Sequence, residues 1–420
     1  MSHMNYTESL NIIHSYKANG RRPNLERMHW LLEKVGNPQL DYPTVHIVGT
    51  NGKGSTTSYL QHILTQSGYQ TGTFTSPYIT RFNERISIDG QPIADQDLVQ
   101  VLQKALPYID KLQKETSLGR PTEFEVVTFL MFLYFSQKKV NMAIIEAGIG
   151  GLLDSTNVLK PEILICSSIG YDHTETLGPD LLDIARHKAG AIHQKVPILL
   201  GRAAKGPSVL FHEEAQKHQA ALAQVDQDIL ISRASAEQFQ INYQDWTSPE
   251  LNIQLLGEHQ ENNAALAATA AHILSESFPN ITNKAIQKGL RQATWPGRSE
   301  WFGNIYLDGA HNLQGIASLI DVLQNHFADR RIHILFAGLK RKPLAELLRP
   351  LEPYDISVTS FDFFEALPLE EYPAHYPRVA DYRNWLDQAH SDQTGDLYVV
   401  TGSLYFISAV RNHLQDKPKA

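Results

Sequence analysis

The stretch Thr44-Val45-His46-Ile47-Val48-Gly49-Thr50-Asn51-Gly52-Lys53-Gly54-Ser55-Thr56 decides how this chain folds. Its β-branched beginning predicts a buried strand, and residues 58–64 have the apolar spacing of a helix. Three glycines and a lysine lie in the turn between them. A strand, a glycine-rich turn and a helix together can bind a phosphate, because backbone N–H groups and the helix N-terminus point at one anion.

The polar residues of this turn are the first candidates for nucleotide binding. Lys53 is expected to contact the outer phosphates, and the hydroxyl of Ser55 or Thr56 is expected near a bound Mg²⁺. The turn departs from the standard Walker pattern, since Gly54 follows the lysine and Ile47 stands where the first glycine is usual. An ordinary glycine-rich turn between a strand and a helix is the alternative.

The run Gly49–Ser55 resembles the P-loop of folylpolyglutamate synthases and dihydrofolate synthases, within the Mur ligase superfamily. The resemblance extends over nearly the whole chain and implies an α/β fold. A P-loop-containing parallel-sheet N-terminal domain, which binds ATP and folate, is expected over residues 1–297. A smaller Rossmann-like C-terminal ligase domain is expected over residues 298–420, because Trp295-Pro296-Gly297-Arg298 breaks the pattern and strands and helices alternate beyond it.

The composition indicates a folded protein, and the resemblance implies the small-molecule substrates folate, L-glutamate and ATP. A length of 420 residues allows two domains, and a net charge of −8 gives no electrostatic footprint for nucleic acid. The single cysteine, Cys166, lies in an apolar run, which indicates a buried thiol and a reducing compartment. No signal-peptide pattern or long apolar span is present, so we expect a cytoplasmic protein without a membrane partner. A monomer is expected.

The resemblance implies metal ligands at the ends of several predicted strands. Ser76 follows the strand 71–75, Glu146 ends the strand 141–146, and Asp172-His173 follows the strand 162–169. A buried carboxylate needs a partner, for which Mg²⁺ is one candidate and a salt bridge to a nearby base is the other. By resemblance, Ser76 and Glu146 hold one Mg²⁺, and Glu146 and His173 hold a second.

Lys188 lies in the run His187-Lys188-Ala189-Gly190, which resembles the family's Lys-Ala-Gly element. A lysine cation would be repelled by two Mg²⁺ ions, so we predict that Lys188 works as a carbamate formed with CO₂ and helps to hold the second ion. A solvated or phosphate-contacting lysine is the alternative. The predicted catalytic residues are Lys53, His173 and Lys188.

The resemblance implies the full sets of binding residues, which include the P-loop residues already named. The predicted nucleotide-binding set is Asn51, Gly52, Lys53, Gly54, Ser55, Thr56, Asn263, Arg298, Asp308 and His311. The predicted folate-binding set is Arg27, Arg81, Phe82, Asn83 and Arg85. For Arg27, a place on a helix surface over the core is an equal alternative.

The resemblance implies an ATP- and Mg²⁺-dependent amide ligase that adds L-glutamate to the γ-carboxylate of folate, and the predicted site residues fit a reaction through an acyl phosphate. Dihydropteroate as a second acceptor stays open. One alternative is a related ligase for a cell-wall precursor, against which the Gly54-Ser55 variant and the Arg81–Arg85 loop argue. Another is a nucleotide-binding regulator, which would not need metal ligands at three strand ends.

Overall fold

The computed structural model describes residues 4–17, 25–233 and 238–415. The chain divides into two compact units. Unit 1 comprises Met1–Tyr78, Asn83–Asn252 and Asn262–Gln292, and unit 2 comprises Ile79–Phe82, Ile253–Glu261 and Ala293–Ala420. This division lies a few residues before the predicted boundary at 297/298, and the two short segments that join unit 2 have no signal in the sequence.

Unit 1 is built around an eight-stranded sheet with β1 near its centre. Its strands are β1 (Thr44–Val48), β2 (Thr71–Phe74), β3 (Ile86–Ile88), β4 (Gln91–Pro92), β5 (Met142–Glu146), β6 (Ile163–Cys166), β7 (Ile198–Leu200) and β8 (Leu222–Gln224). They follow the order β4-β3-β2-β5-β1-β6-β7-β8. The pairs from β2 to β8 are parallel, and β3 and β4 are antiparallel additions. Every residue of β1 and β5 is buried, as expected of strands with both faces covered.

Helices cover this sheet. They are α1 (Tyr6–His14), α2 (Leu25–Lys34), α3 (Lys53–Gln66), α4 (Asp95–Glu115), α5 (Glu123–Lys138), α6 (Thr174–Leu177), α7 (Leu181–Ala189), α8 (Lys205–Lys217), α9 (Glu258–Leu274) and α10 (Asn283–Gln292). The first residues of α9 belong to the unit 2 segment Ile253–Glu261. α5 begins with a capping box, in which Thr122 and Glu125 each satisfy the other's backbone N–H. Among the described residues, no helix is long and apolar enough to cross a membrane.

A small antiparallel sheet completes unit 1. It consists of β9 (Ile229–Arg233), β10 (Phe239–Tyr243) and β11 (Trp246–Thr247), in the order β11-β10-β9. Sequence periodicity gave no clear pattern over residues 206–256, so this sheet and α8 are not predicted. α1 and α2 lie near the beginning of the chain, and residues 18–24 between them lie outside the described residues.

Unit 2 contains a six-stranded sheet. The strands and helices of unit 2 are β12 (Glu300–Phe302), β13 (Ile305–Leu307), α11 (Leu313–His326), β14 (Ile332–Phe336), α12 (Leu344–Leu348), β15 (Asp355–Thr359), β16 (Arg378–Val379), α13 (Tyr382–Ser391), β17 (Leu397–Thr401) and α14 (Leu404–Gln415). The strand order is β12-β13-β17-β14-β15-β16, with only the edge pair β12–β13 antiparallel. Two mostly parallel sheets with crossover helices confirm the predicted α/β class.

Candidate active site

The turn after β1 leaves the beginning of α3 open. Gly49 and Gly52 have φ of 151° and 85°, values that favour glycine. A Cβ on Gly49 would lie 2.1 Å from Ser167 Oγ, and a Cβ on Gly52 would lie 2.3 Å from Asn263 Oδ1. Gly52 is the N-cap of α3 and provides no side-chain cap. The first backbone N–H groups of α3 are therefore left for an anion.

Lys53, the first residue of α3, points back over this turn. Its Nζ lies 3.2 Å from the carbonyl oxygen of Gly49 and 3.4 Å from that of Thr50. The same Nζ lies 3.7 Å from Glu146 Oε1. Glu146 is opposite Ile47 in the β1–β5 register, so its carboxylate reaches the P-loop from the neighbouring strand. The salt-bridge partner proposed as the alternative for Glu146 is thus the P-loop lysine itself.

The predicted Mg²⁺ ligands differ in how well their surroundings support the role. Ser76 follows β2, the strand that pairs with β5, so a hydroxyl and a carboxylate end adjacent strands. Both are oxygen donors of the type that Mg²⁺ prefers, and they fit the ion. His173 has a left-handed backbone, and its N–H donates to Asp172 Oδ1 at 2.9 Å. Over the described ranges, no three His, Cys, Asp or Glu side chains are grouped for a metal.

Lys188 is buried in α7, with 2% of its surface exposed. Burial, and after it the nearby Lys53 charge, lower the pKa of its ammonium to about 8, while Cys166 and Asp172 oppose the shift. The alternative of a solvated lysine is wrong, since the side chain is inside the protein. A lowered pKa increases the fraction of neutral amine at physiological pH, and this is the form that reacts with CO₂.

The structure shows a buried polar network next to the P-loop strand that the sequence analysis did not predict. His46 lies in the middle of β1, fully buried, and its Nε2 is 2.8 Å from Thr156 Oγ1. The Thr156 hydroxyl donates to Asp154 Oδ1 at 2.6 Å, and Asp154 Oδ2 accepts from the Ile149 N–H at 3.0 Å. The Thr156 proton is used by Asp154, so His46 donates through Nε2. The network fixes the segment that follows Glu146.

Two of the predicted folate-binding residues have structural partners. Arg27 is buried, and its guanidinium donates to Glu125 Oε1 at 2.9 Å and to the Leu118 carbonyl at 3.2 Å. Asn83 is also buried, where Oδ1 accepts from the Tyr6 hydroxyl at 2.6 Å. Both side chains hold elements of unit 1 together, and their contact with folate stays a prediction.

The other predicted folate-binding residues lie in both units. Arg81 is exposed and Phe82 is buried, both within the short segment of unit 2. Arg85, in unit 1, has its guanidinium 5.6 Å from the centre of the Tyr78 ring. The Arg-Phe-Asn-Glu-Arg run therefore crosses the division between the two units, between Phe82 and Asn83.

The predicted nucleotide-binding residues of unit 2 neighbour one another. Arg298 Nη1 lies 3.6 Å from Asp308 Oδ1, and the His311 ring donates through Nδ1 to the Gly309 carbonyl at 2.8 Å. His259, which the sequence did not single out, belongs to the same charged group. The pKa of His259 is lowered, chiefly by burial. The Arg298 charge lowers it too, and the Asp308 carboxylate opposes the shift.

Comparison with known proteins gives the class of this chain. The Mur ligase middle domain matches residues 47–271, more than half of the sequence. The matched segment contains the P-loop, Glu146, His173 and Lys188, and the chain is thus an ATP-dependent ligase of the Mur type.

Comparison with individual proteins gives the family. A dihydrofolate synthase/folylpolyglutamate synthase of Bacillus subtilis (strain 168) is 36% identical over 98% of this chain and 99% of its own length. A Mycobacterium tuberculosis folylpolyglutamate synthase solved with ADP and AMPPCP superimposes with a TM-score of 0.89, at 28% identity over 99% of this chain and 100% of that one. A folylpolyglutamate synthase solved with AMPPCP and folate superimposes with a TM-score of 0.86, at 33% identity over 98% of this chain and 100% of that one. This chain belongs to the folylpolyglutamate synthase/dihydrofolate synthase family, which confirms the resemblance.

Proposed function

We propose that this ligase adds L-glutamate to the γ-carboxylate of the terminal glutamate of a folate, converting ATP to ADP and phosphate. The observation that carries the proposal is the position of Lys53 Nζ, 3.7 Å from Glu146 Oε1 at the open N-terminus of α3. One cation between a buried carboxylate and a phosphate-binding turn suits the outer phosphates of ATP. The names of the relatives, and their complexes with AMPPCP and folate, support the same activity.

The reaction needs an activated carboxyl group, because a carboxylate is a poor acyl donor. A γ-carboxylate oxygen attacks the γ-phosphorus of ATP, and the bond from that phosphorus to the ADP oxygen breaks. The amine of glutamate then attacks the acyl carbon, phosphate leaves with the C–O electron pair, and the nitrogen loses a proton. Lys53 and the first N–H groups of α3 hold the phosphates during the transfer.

Two Mg²⁺ ions complete the proposed site. Ser76 and Glu146 would hold one, and Glu146, His173 and the Lys188 carbamate would hold the other. When bound, the ions neutralise charge on the transferring phosphoryl group. Burial and the nearby Lys53 charge lower the pKa of Lys188, which leaves more of the neutral amine that reacts with CO₂ and so supports carbamylation. A carbamate is an anion with two oxygens, the type of ligand that Mg²⁺ prefers.

The remaining predicted residues have binding roles. Asn263 lies against Gly52 and is assigned to the adenine, while Arg298, Asp308 and His311 are assigned to the nucleotide by resemblance. The proposed nucleotide-binding residues of the turn are Asn51, Gly52, Lys53, Gly54, Ser55 and Thr56. Arg81, Phe82 and Arg85 are assigned to folate. A monomer and a cytoplasmic location stay predictions from the sequence.

ADP release tests the proposed function. We expect release that requires both a folate and L-glutamate, with pterin, folate and muramyl acceptors compared in one panel. Release with a muramyl acceptor and none with folate would replace the proposal by the cell-wall alternative. Hydroxylamine supplied in place of glutamate should trap a folyl hydroxamate, because it attacks the acyl phosphate. Ligation without any trapped product would contradict the acyl phosphate.

Dihydropteroate is the second acceptor we propose. The observation that favours it is the Bacillus subtilis relative, which is named for both activities and is 36% identical along nearly the whole chain. The same assay with dihydropteroate and glutamate should release ADP and form dihydrofolate. No product from dihydropteroate, with folate ligation active, would make the chain monofunctional.

A further inference from the structure

The segment after β6 holds the P-loop from one side through two serine hydroxyls. Ser168 Oγ accepts from the Asn51 N–H at 2.9 Å and donates to the Asn51 carbonyl at 2.9 Å. Ser167 Oγ donates to the same carbonyl at 2.7 Å. Both polar groups of the Asn51 backbone are therefore bonded to this serine pair.

Backbone contacts and close packing reinforce the attachment. The Thr50 hydroxyl donates to the Gly170 carbonyl and accepts from the Gly170 N–H, both at 3.0 Å, and the Thr50 N–H donates to the Ser168 carbonyl at 2.9 Å. Ser167 is buried beside two glycines. A Cβ on Gly49 would lie 2.1 Å from its Oγ, and one on Gly201 would lie 2.1 Å from its carbonyl oxygen. The segment fits the turn closely on both sides.

These contacts determine which N–H groups remain for a ligand. The Asn51 N–H is used by Ser168, so it is not directed at a phosphate. The bonded Asn51 peptide immediately precedes Gly52, whose φ of 85° turns the chain into α3. Fixing that peptide fixes the direction of the N–H groups at the beginning of the helix, and a preorganised site binds its ligand more tightly than a mobile one.

We propose that Ser168, supported by Ser167, is a positioning residue that holds the P-loop in its nucleotide-binding conformation. The proposal deepens the proposed function and rests on it for the identity of the nucleotide. Neither serine needs to contact ATP. Their effect is on the affinity for the nucleotide, while the affinity for folate is independent of them.

The test is the affinity for AMPPCP, measured by calorimetry on the full chain, with thermal unfolding measured on the same samples. Ser168→Ala removes two hydrogen bonds to Asn51, and we expect the Kd to rise about tenfold or more. Ser168→Thr keeps the hydroxyl and should restore binding to within about threefold of the original chain. The KM for folate should be unchanged in both variants.

Ser208→Ala is the control, because it also removes a serine hydroxyl that donates a hydrogen bond, here to Gln224 Oε1 at 2.6 Å. It should leave the Kd for AMPPCP unchanged. An unchanged Kd in folded Ser168→Ala, or an equal loss in Ser208→Ala, would overturn the proposal. Should Ser168→Ala not fold, Ser167→Ala and Thr50→Val remove contacts of the same segment and must raise the Kd in its place.

Binding and ligation separate this proposal from the proposed function. If the original chain binds AMPPCP but releases no ADP with folate and glutamate, the proposed function is contradicted. The positioning role is then judged from the Kd values alone. Ligation by the original chain with equal Kd values in original chain and Ser168→Ala would contradict the positioning role alone. No AMPPCP binding by the original chain would overturn both.

Discussion

Two turns, one in each unit, connect a buried strand to a helix, and they differ in what they leave open. In unit 1, β1 leads through the P-loop into α3, whose N-cap is Gly52 without a side-chain cap. In unit 2, β13 leads through Asp308–Asn312 into α11, whose N-cap Asn312 accepts from the Gly315 N–H at 2.9 Å. The first helix keeps its N-terminal N–H groups for a ligand, whereas the second uses one of them internally.

The side chains of the two turns differ in the same way. Asp308 in unit 2 accepts from the Ala310 N–H at 3.0 Å within the turn, and the Ala310 carbonyl accepts from the Gly402 N–H at 3.0 Å and the Thr401 hydroxyl at 3.2 Å, at the end of β17. The P-loop is held by Ser167 and Ser168, which come from another strand end. Both turns are bonded to a neighbouring strand end, and the unit 2 turn in addition uses Asp308 and Asn312 to bind backbone N–H groups of its own.

Of the substitutions that test this comparison, removal of the P-loop cation should have the largest effect, a loss of ligation. Lys53→Ala removes the charge nearest to the open helix N-terminus, and we expect ligation to fall by about 10³-fold or more. The assay is ADP release, with thermal unfolding to establish that the fold is intact. Lys104→Ala, which removes an exposed lysine bonded to Gln137, is the control and should have full activity. Normal turnover in folded Lys53→Ala would remove the P-loop assignment.

The cation beside the P-loop is the buried Lys188, whereas at the unit 2 turn Arg298 lies 3.6 Å from the Asp308 carboxylate. If Lys188 works as a carbamate, Lys188→Ala should lower ligation by about a hundredfold, the upper end of the cost of losing a supporting group at a metal site. Depletion of bicarbonate should inhibit the original chain. Short carboxylic acids should partly restore the variant, because they supply the missing oxygens.

Two outcomes of the Lys188 experiment would contradict the carbamate. Activity that is indifferent to both the substitution and bicarbonate would contradict any role for Lys188. Loss on substitution with no effect of bicarbonate and no recovery by carboxylic acids would favour an unmodified lysine that contacts phosphate.

The strands before the two turns predict different responses to acid. His46 in β1 is buried, and burial with the nearby His193 charge lowers its pKa to about 3. The unfolded chain binds this proton below about pH 6.5, so the free energy of unfolding should fall by about 2 kcal/mol between pH 7 and pH 5. His46→Gln should remove that part of the loss. The equivalent strand of unit 2 carries Tyr306, whose pKa burial raises, so it stays neutral.

Urea unfolding at pH 7 and pH 5 checks this expectation. His413→Gln is the control, because it removes a histidine of unit 2 that lies 3.0 Å from Asp387, and the acid loss from His46 should persist in it. Equal acid sensitivity of the original chain and His46→Gln would show that the buried histidine is not responsible.

The smallest effect is expected at the closed turn. Asn312→Ala removes the N-cap of α11 and should cost about 1 kcal/mol of stability, while Asn312→Ser should keep most of it. The affinity for AMPPCP should be unchanged, since the nucleotide phosphates are assigned to α3. Tighter binding in Asn312→Ala would mean that an opened α11 also attracts phosphate, and the contrast between the two turns would be weaker than proposed.

Local patterns in the sequence were sufficient for the parallel sheets, the P-loop and the strand that ends in Glu146. Each of these depends on runs of apolar residues or on glycines at fixed spacing. The partners across the fold were not predictable, because they depend on which strands become neighbours. Ser167 contacts Asn51 only because β6 pairs with β1, and Arg27 finds Glu125 through the packing of two distant helices. The small sheet β9–β11 was missed because its short strands lack a clear alternation.

The chain's single thiol gives a direct way to observe the opening of β6. Cys166 is fully buried at the end of that strand, immediately before the two serines, and burial raises its pKa to about 12. A protonated, enclosed thiol reacts very slowly with alkylating reagents. The rate of alkylation therefore measures how often this strand end becomes exposed to solvent, and saturating nucleotide should slow it if the P-loop and the serine segment move together.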